Sequence, residues 1–329
     1  MVDHVAILAD LVRRPSVNPM GRDVSGPEYL EGRVTDHLIQ RLTSIGVPCA
    51  RQAVSPGRDN VLARLDPPQG PSGQLMLWDA HQDTVPVDGM TIDPFTPLVR
   101  DGRLQGRGAC DVKGGMAAML AALEKLRREG GAHRPILFAA TVNEEFGFSG
   151  AKALAALWSS QGESALPAIA SERPGSAIVA EPTSLDVVTT HKGAVRWRIR
   201  VNGRACHSAF PENGRNAIYP AARVALAIES LATDLLTRPQ GSCGPPTLSV
   251  GTIRGGTGVN LVPDRVGLEV ERRFVPGESP SGARREVIER VDRYLKAAGF
   301  DAGVVEHEEP FLESAGLPDE ASDLSASIR

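Results

Sequence analysis

Residues 74–86 read QLMLWDAHQDTVP. An apolar run leads into Asp79, and His81 and Asp83 follow two residues apart. Side chains two apart on a strand share a face, so His81 and Asp83 are predicted to project together from the strand's C-terminal end. Open α/β sheets place their ligand sites at that end. The stretch thus predicts a buried strand delivering an imidazole and a carboxylate to one sheet edge. Taken alone, HxD reads more simply as a surface His–Asp pair at a loop, so its meaning depends on the rest of the chain.

Outward from this strand, further apolar runs at 60–65 (NVLARL), 135–142 (PILFAATV) and 176–180 (SAIVA) read as strands. Helical patterns separate them. Residues 28–45 put Leu30, Val34, Leu38, Leu42 and Ile45 on one stripe, stopped by Gly46, and similar patterns cover 114–129 and 149–159. Continuous apolar strands alternating with helices predict an α/β fold with a mainly parallel sheet covered on both faces. Near residue 193 the pattern changes. Val195, Trp197, Ile199 and Val201 alternate with Arg196, Arg198, Arg200 and Asn202, the period of a half-exposed strand. A helix (216–232), strands (247–254 and 266–274), a helix (282–298) and a short strand (303–307) follow. That order is the α+β split-βαβ, ferredoxin-like arrangement. It predicts a second domain at 193–309 inserted into a first domain built from 1–192 and 310–329.

The bulk composition excludes several classes. The 329 residues carry 36 basic and 40 acidic side chains, a net charge of -4 with no basic cluster, which gives no support for nucleic-acid binding. Cys49, Cys110, Cys206 and Cys243 lie far apart with no CxxC pair, so neither a disulfide framework nor a thiolate zinc site is expected, and a reducing compartment is. The N-terminus, MVDHVAILADLVRR, is too short and too charged for a signal peptide. No stretch approaches the roughly 20 apolar residues that span a bilayer. The expectation is a cytoplasmic protein without a membrane partner.

Three more segments place acids where strands end. In GRGACDVKGG (106–115), Asp111 sits in a glycine-rich loop before a helix. The loop lacks the phosphate-binding spacing, and a central acid would repel phosphate. It suits bridging cations, although Asp is also a common helix N-cap. In VNEEFG (142–147), Glu144 and Glu145 follow an apolar strand. One can bind a metal while the other acts as general base on water, or both can belong to a solvated acidic loop. In VAEPT (179–183), Glu181 ends a strand. Parallel strands would gather all of these at one edge, where mixed O and N donors suit a dication such as zinc.

These segments, with GRACHSAFPENGRNAI, GGTGVNLVPD and ERRFVPGE, resemble in kind and order the zinc amidohydrolases that include acetylornithine deacetylase, succinyl-diaminopimelate desuccinylase, carboxypeptidase G and aminoacylase. The likeness runs from about residue 5 to about residue 325. It implies that 1–192 with 310–329 form a metallohydrolase catalytic domain and 193–309 a lid and dimerisation domain. It implies one zinc on His81, Asp111 and Glu181, and a second bridged by Asp111 and held by Glu145, with cobalt as a possible substitute. Glu144 would be the general base for a metal-bound hydroxide, and Asp83 would orient His81. His207 would reach across a homodimer to stabilise the oxyanion. Asn260 and Arg273 would grip the substrate carboxylate. A cis peptide is implied after Asp111. The implied reaction is hydrolysis of an amide in an N-acyl amino acid or small peptide. Acetylornithine, succinyl-diaminopimelate, glutamate conjugates and dipeptides all present a suitable carboxylate.

The family pattern continues past the inserted domain with more sheet elements and a final histidine ligand of the second metal. This chain has no histidine after His307. The expectations are a weakly held second metal and exposed apolar surface on the catalytic sheet. The alternative to an enzyme is a truncated, non-catalytic member that only dimerises or binds a ligand.

Overall fold

The computed structural model describes residues 2–70, 73–159, 169–170, 172–238 and 242–318, in two compact units that divide between Asp186 and Val187. The first unit opens with α1 (His4–Val12) and α2 (Gly32–Ser44), followed by β1 (Cys49–Ser55), β2 (Arg58–Leu65) and β3 (Met76–His81). A small hairpin of β4 (Leu98–Arg100) and β5 (Arg103–Gln105) precedes α3 (Lys113–Arg128). Then come β6 (Ile136–Thr141), α4 (Ser149–Ala156) and β7 (Ser176–Val179). The principal sheet has the order β1-β2-β6-β3-β7.

The sheet is mixed, which corrects the expectation of a mainly parallel one. β3 runs parallel to β6 and β7, but β2 is antiparallel to both β1 and β6. A tight turn through Gly57 (φ 76) joins β1 to β2, and a connection that short permits only antiparallel pairing. β2 and β6 are nonetheless buried on both faces, so their apolar runs look like those of parallel strands.

Helices cover both faces. On one, Ile7 and Leu11 of α1, Leu38 and Leu42 of α2 and Met116 and Leu120 of α3 pack on Val61, Phe138 and Ala140. On the other, Leu154 of α4 packs on Leu62, Leu75, Leu137 and Ala139. Each fully buried Leu of this kind contributes about 1.5–3 kcal/mol relative to an exposed one. The two cores fix the sheet as a rigid platform. β7 is an edge strand, and Val179 on it is 56% exposed. No helix among the described residues is long and apolar enough to cross a membrane.

The second unit contains β8 (Gly193–Asn202), β9 (Cys206–His207), α5 (Ile218–Leu236), β10 (Thr247–Gly255), β11 (Leu261–Val262) and β12 (Arg265–Phe274). It continues with α6 (Pro280–Ala297), β13 (Val305–His307) and β14 (Leu312–Ser314). Its antiparallel sheet has the order β10-β12-β8-β13. Val224 and Ile228 of α5 and Val287 and Val291 of α6 pack on Trp197, Ile199, Leu268 and Val270. The opposite sheet face carries charges in register, Arg196 with Glu271 (2.6 Å) and Arg198 with Glu269 (2.9 Å). Pro280 starts α6, and the Ser279 hydroxyl accepts from the Gly282 N–H, a capped helix start. The fully buried Trp197 donates its indole N–H to His307 Nδ1 at 3.1 Å. Burial, then the nearby Arg284 charge, lowers His307 to about 4, so its ring is neutral and committed to packing.

Residues 310–318 were expected to rejoin the first domain and instead stay with the second unit. β14 pairs with Ala194–Arg196 on the same edge of β8 that β13 uses further along, Leu312 is buried, and Leu317 bridges to His191. Pairing of the backbone groups on that edge and the burial of Leu312 favour this course. Residues 319–329 lie outside the described residues.

Candidate metal centre

Three parallel strand ends converge. β3 ends on His81, β6 leads into Glu144 and Glu145, and β7 leads into Glu181. Asp111 reaches the same edge from the glycine loop before α3. The helix N-cap is Val112, with no side-chain cap, so Asp111 is not a capping residue. The Asp111–Val112 peptide is cis, as the resemblance implied. Gly108 takes a left-handed turn (φ +78), and a Cβ there would lie 2.6 Å from Thr84. Gly115 brings α3 against the end of β7, where a Cβ would lie 2.6 Å from that of Ala180. The two glycines let the Asp111 loop pack this closely on the strand ends.

One ligand atom each from His81, Asp111 and Glu145 lies within 4.8 Å of the others, the one such group of three or more among the described residues. His81 is buried, with Nε2 3.1 Å from Asp111 Oδ1 and Nδ1 2.9 Å from the backbone carbonyl of Asp83. A carbonyl can only accept, so Nδ1 carries a proton and Nε2 faces the carboxylates. Asp83 was expected to orient this ring through its carboxylate. Its backbone carbonyl makes the closer contact, and the carboxylate oxygen is 3.6 Å from Nδ1. The fully buried carboxylate instead accepts from Asn18 Nδ2 (2.7 Å) and from the backbone N–H of Glu144 (3.0 Å) and of Glu145 (3.1 Å). Asp83 therefore fixes the backbone of both glutamates, a contact across about sixty residues of sequence.

Glu181 stands outside the tight group of three yet shares its field. Burial, then the carboxylates of Glu144, Asp111 and Asp79, raise it to about 7 against the opposing charge of His81. Glu145 is likewise raised to about 7, first by burial, with Asp111, Glu144 and Asp83 adding to it. For His81 burial disfavours the charged ring, but the hydrogen bonds to Asp111 and Asp83 and the surrounding negative charge outweigh it and push it up to about 11. The Glu144 charge acts on all three.

Several site-building residues carried no motif. Asn18 links Asp83 to Asn143 (3.0 Å). Glu31, fully buried, accepts from the Asn143 N–H. Lys113 is buried and donates to the carbonyls of Leu11 (3.1 Å) and Arg14 (2.8 Å), tying the end of α1 to the start of α3. Burial, with the Arg14 charge, lowers it to about 7. The available signal was only that Lys113 directly follows the Asp111 loop.

In the second unit, β9 and β11 pair Leu261 with His207, and the Ser208 N–H bonds to the Asn260 carbonyl (3.0 Å), so His207 and Asn260 are neighbours. Both are exposed. Arg273 lies at the other end of β12 and pairs with Glu271 at 3.0 Å. Within this unit Asn260 and Arg273 do not form a common carboxylate clamp.

The sequence profile of peptidase family M20/M25/M40 matches residues 77–318, most of the chain and all of the groups just described from Glu144 to Arg273. The chain belongs to this family. It is 31% identical to a succinyl-diaminopimelate desuccinylase from Cupriavidus necator over 345 residues, covering 100% of this chain and 82% of that protein. It is 34% identical to an acetylornithine deacetylase from Myxococcus xanthus over 254 residues, covering 74% of this chain and 62% of that one. Its fold is similar to that of human carnosine dipeptidase 1, with a TM-score of 0.73 at 16% identity, over 97% of this chain and 79% of that structure.

For this family member the donor set fits a divalent metal. It mixes one imidazole nitrogen with carboxylate oxygens, the combination borderline dications accept. Asp79 Oδ1, on the same face of β3 as His81, is buried without a hydrogen-bond partner, and a cation offsets such a charge. Metal binding must displace the protons these groups hold. At pH 7 His81 is protonated and Glu145 is about half protonated, because their values lie near 11 and 7. Binding of zinc is expected to release about one to two protons per ion at pH 7. Apparent affinity should then fall as pH drops from 8 to 6, since protons compete more strongly. Titration calorimetry in buffers of differing ionisation enthalpy measures this, and binding without proton release would exclude His81 as a ligand.

Proposed function

We propose that this protein is a metal-dependent hydrolase cleaving the amide bond of an N-acyl amino acid or small peptide. The observation that carries the reading is the tight group of His81, Asp111 and Glu145 with Glu144 beside it, its backbone held by a buried carboxylate. Zinc is the proposed ion, with cobalt as a substitute. One ion is assigned to His81, Asp111 and Glu181, and a second to Asp111 and Glu145. A divalent ion there supplies Lewis acidity, activating water and polarising the amide carbonyl. Glu144 takes the proton of the attacking water on its carboxylate and delivers it to the leaving amine nitrogen. Asp83 and His81 hold the geometry in which that transfer occurs.

The substrate carboxylate is assigned to Asn260 and Arg273, and oxyanion stabilisation to His207. His207 is assigned to reach across a homodimer to the site of the other copy. β10 is an edge strand with Ile253 exposed, and Tyr219 and Leu226 are exposed on α5, surfaces suited to such a contact. The second unit is thus read as the lid and dimerisation domain. The four free cysteines support a reducing, cytoplasmic setting.

The test is turnover by the zinc- or cobalt-loaded protein on N-acetyl and N-succinyl amino acids and dipeptides. We expect hydrolysis of at least one class, lost with chelator and restored by metal. Fully loaded protein that cleaves none of them would overturn the reading.

A further inference from the structure

Glu31 heads α2, far in sequence from every motif, and its side chain is fully buried. Oε2 pairs with Arg58 Nε at 3.0 Å. Oε1 accepts the backbone N–H of Asn143 at 3.1 Å. Asn143 directly precedes the two glutamates, in the left-handed region (φ 60) that asparagine tolerates better than most residues. Every polar group of Asn143 is engaged. Its carbonyl accepts from the N–H of Gly147 (3.2 Å) and of Phe148 (2.7 Å). Its side chain accepts from Asn18 (3.0 Å) and donates to Ser149 Oγ (3.0 Å). The same Asn18 amide donates to Asp83, which holds the amides of Glu144 and Glu145.

An unbroken, partly buried chain of hydrogen bonds therefore runs from Arg58 through Glu31, Asn143, Asn18 and Asp83 to the backbone of Glu144 and Glu145. Asp83 and Glu31 grip consecutive amides of one turn, Glu31 at 143 and Asp83 at 144 and 145. A turn held by three amides to two buried carboxylates cannot rotate to move its side chains without breaking charge-assisted hydrogen bonds. Burying an ion pair is not an efficient route to stability, because apolar residues of similar size commonly serve as well. The carboxyl oxygen of Glu31 is aimed at a backbone N–H next to the reacting groups.

We propose that Glu31 is a positioning residue for the hydrolysis, fixing through Asn143 the turn that presents Glu144 to water and Glu145 to metal. This inference rests on the function proposed above, and it concerns a residue that touches neither substrate nor metal.

Two variants and a conservative control test it. Glu31→Asp keeps the charge beside Arg58 but shortens the reach to Asn143. Glu31→Met combined with Arg58→Met removes both charges together, so no buried ion is left unpaired. In each, kcat should fall about 10–100-fold with KM within about threefold, while Glu31→Gln, which keeps an acceptor at full length, should retain most of kcat. Hydrogen–deuterium exchange of the peptide spanning 143–148 should quicken in the first two variants and stay near wild type in Gln, with exchange in the β3 peptide unchanged. Unaltered exchange at 143–148 in the Asp variant overturns the proposal even if the double variant fails to fold, as does altered exchange with kcat unchanged. Should the loaded wild type cleave no substrate, the function reading fails while the exchange measurement still decides whether Glu31 holds the turn.

Discussion

Replacing Glu144 with Gln is expected to lower kcat on an N-acyl amino acid by about 10²–10⁴-fold while leaving bound metal unchanged. The exchange alters almost nothing but basicity. Gln has the same length, and the Glu144 backbone N–H stays on Asp83 Oδ1 at 3.0 Å. The tight metal group of His81, Asp111 and Glu145 does not include Glu144. An amide cannot take a proton from water, so the loss falls on the chemical step and KM should move little. Turnover at several substrate concentrations together with elemental analysis of the variant checks this. Retained activity would move the base elsewhere, with Glu181 and Asp79 next to examine because both sit in the same field.

Asp83→Ala is expected to destabilise the first unit by about 3–5 kcal/mol, because it leaves buried partners without their acceptor. The Asn18 amide and the N–H groups of Glu144 and Glu145 all point at this one carboxylate. Metal affinity should fall about 10–100-fold as well, since His81 loses a neighbouring charge and Glu145 its anchor. Burial opposes the Asp83 charge, but the His81 ring, Asn18 and the Glu144 amide outweigh it and hold its carboxyl below the ordinary range. A depressed carboxyl stabilises the fold above its unfolded pKa and loses that contribution as pH falls through the folded one. The direct contribution of Asp83 should hence hold from pH 8 to about 5 and be lost only in stronger acid, with a smaller drift between pH 5 and 8 because removing Asp83 also lowers Glu145. Denaturant midpoints across that range and zinc titrations measure both effects. Equal midpoints and equal affinity would show that the turn is held without Asp83.

The strand ending in His81 was readable because apolar residues in β3 and a polar terminus follow directly from burial inside a sheet and exposure at its edge. Asp111 and the Glu144–Glu145 pair were readable for the same reason, and because few chemistries other than metal binding need acids at several strand ends. The direction of β2 was not readable. A strand buried on both faces shows the same apolar run whichever way its neighbours point, and the parallel expectation failed there. The course of 310–318 was not readable either, because a short segment carries little periodicity and only the free edge of β8 decides where it pairs. Asp83 was legible as a neighbour of His81 but not as the acceptor for amides at 144 and 145. Asn18, Glu31 and Lys113 sit in stretches whose composition suits any loop or helix start.

By itself, then, the sequence determined which side chains could hold a metal, where the α/β pattern gives way to the split-βαβ one, and which reaction family the segments resemble. Those features are local, encoded in residue type and in periods of two or about four. Tertiary structure alone decided the mixed sheet, the closeness of His81, Asp111 and Glu145, and the partly buried chain of hydrogen bonds from Arg58 to Glu145. These depend on hydrogen bonds between residues far apart in sequence, whose geometry exists only once two helical layers have packed on the sheet and removed water from between them.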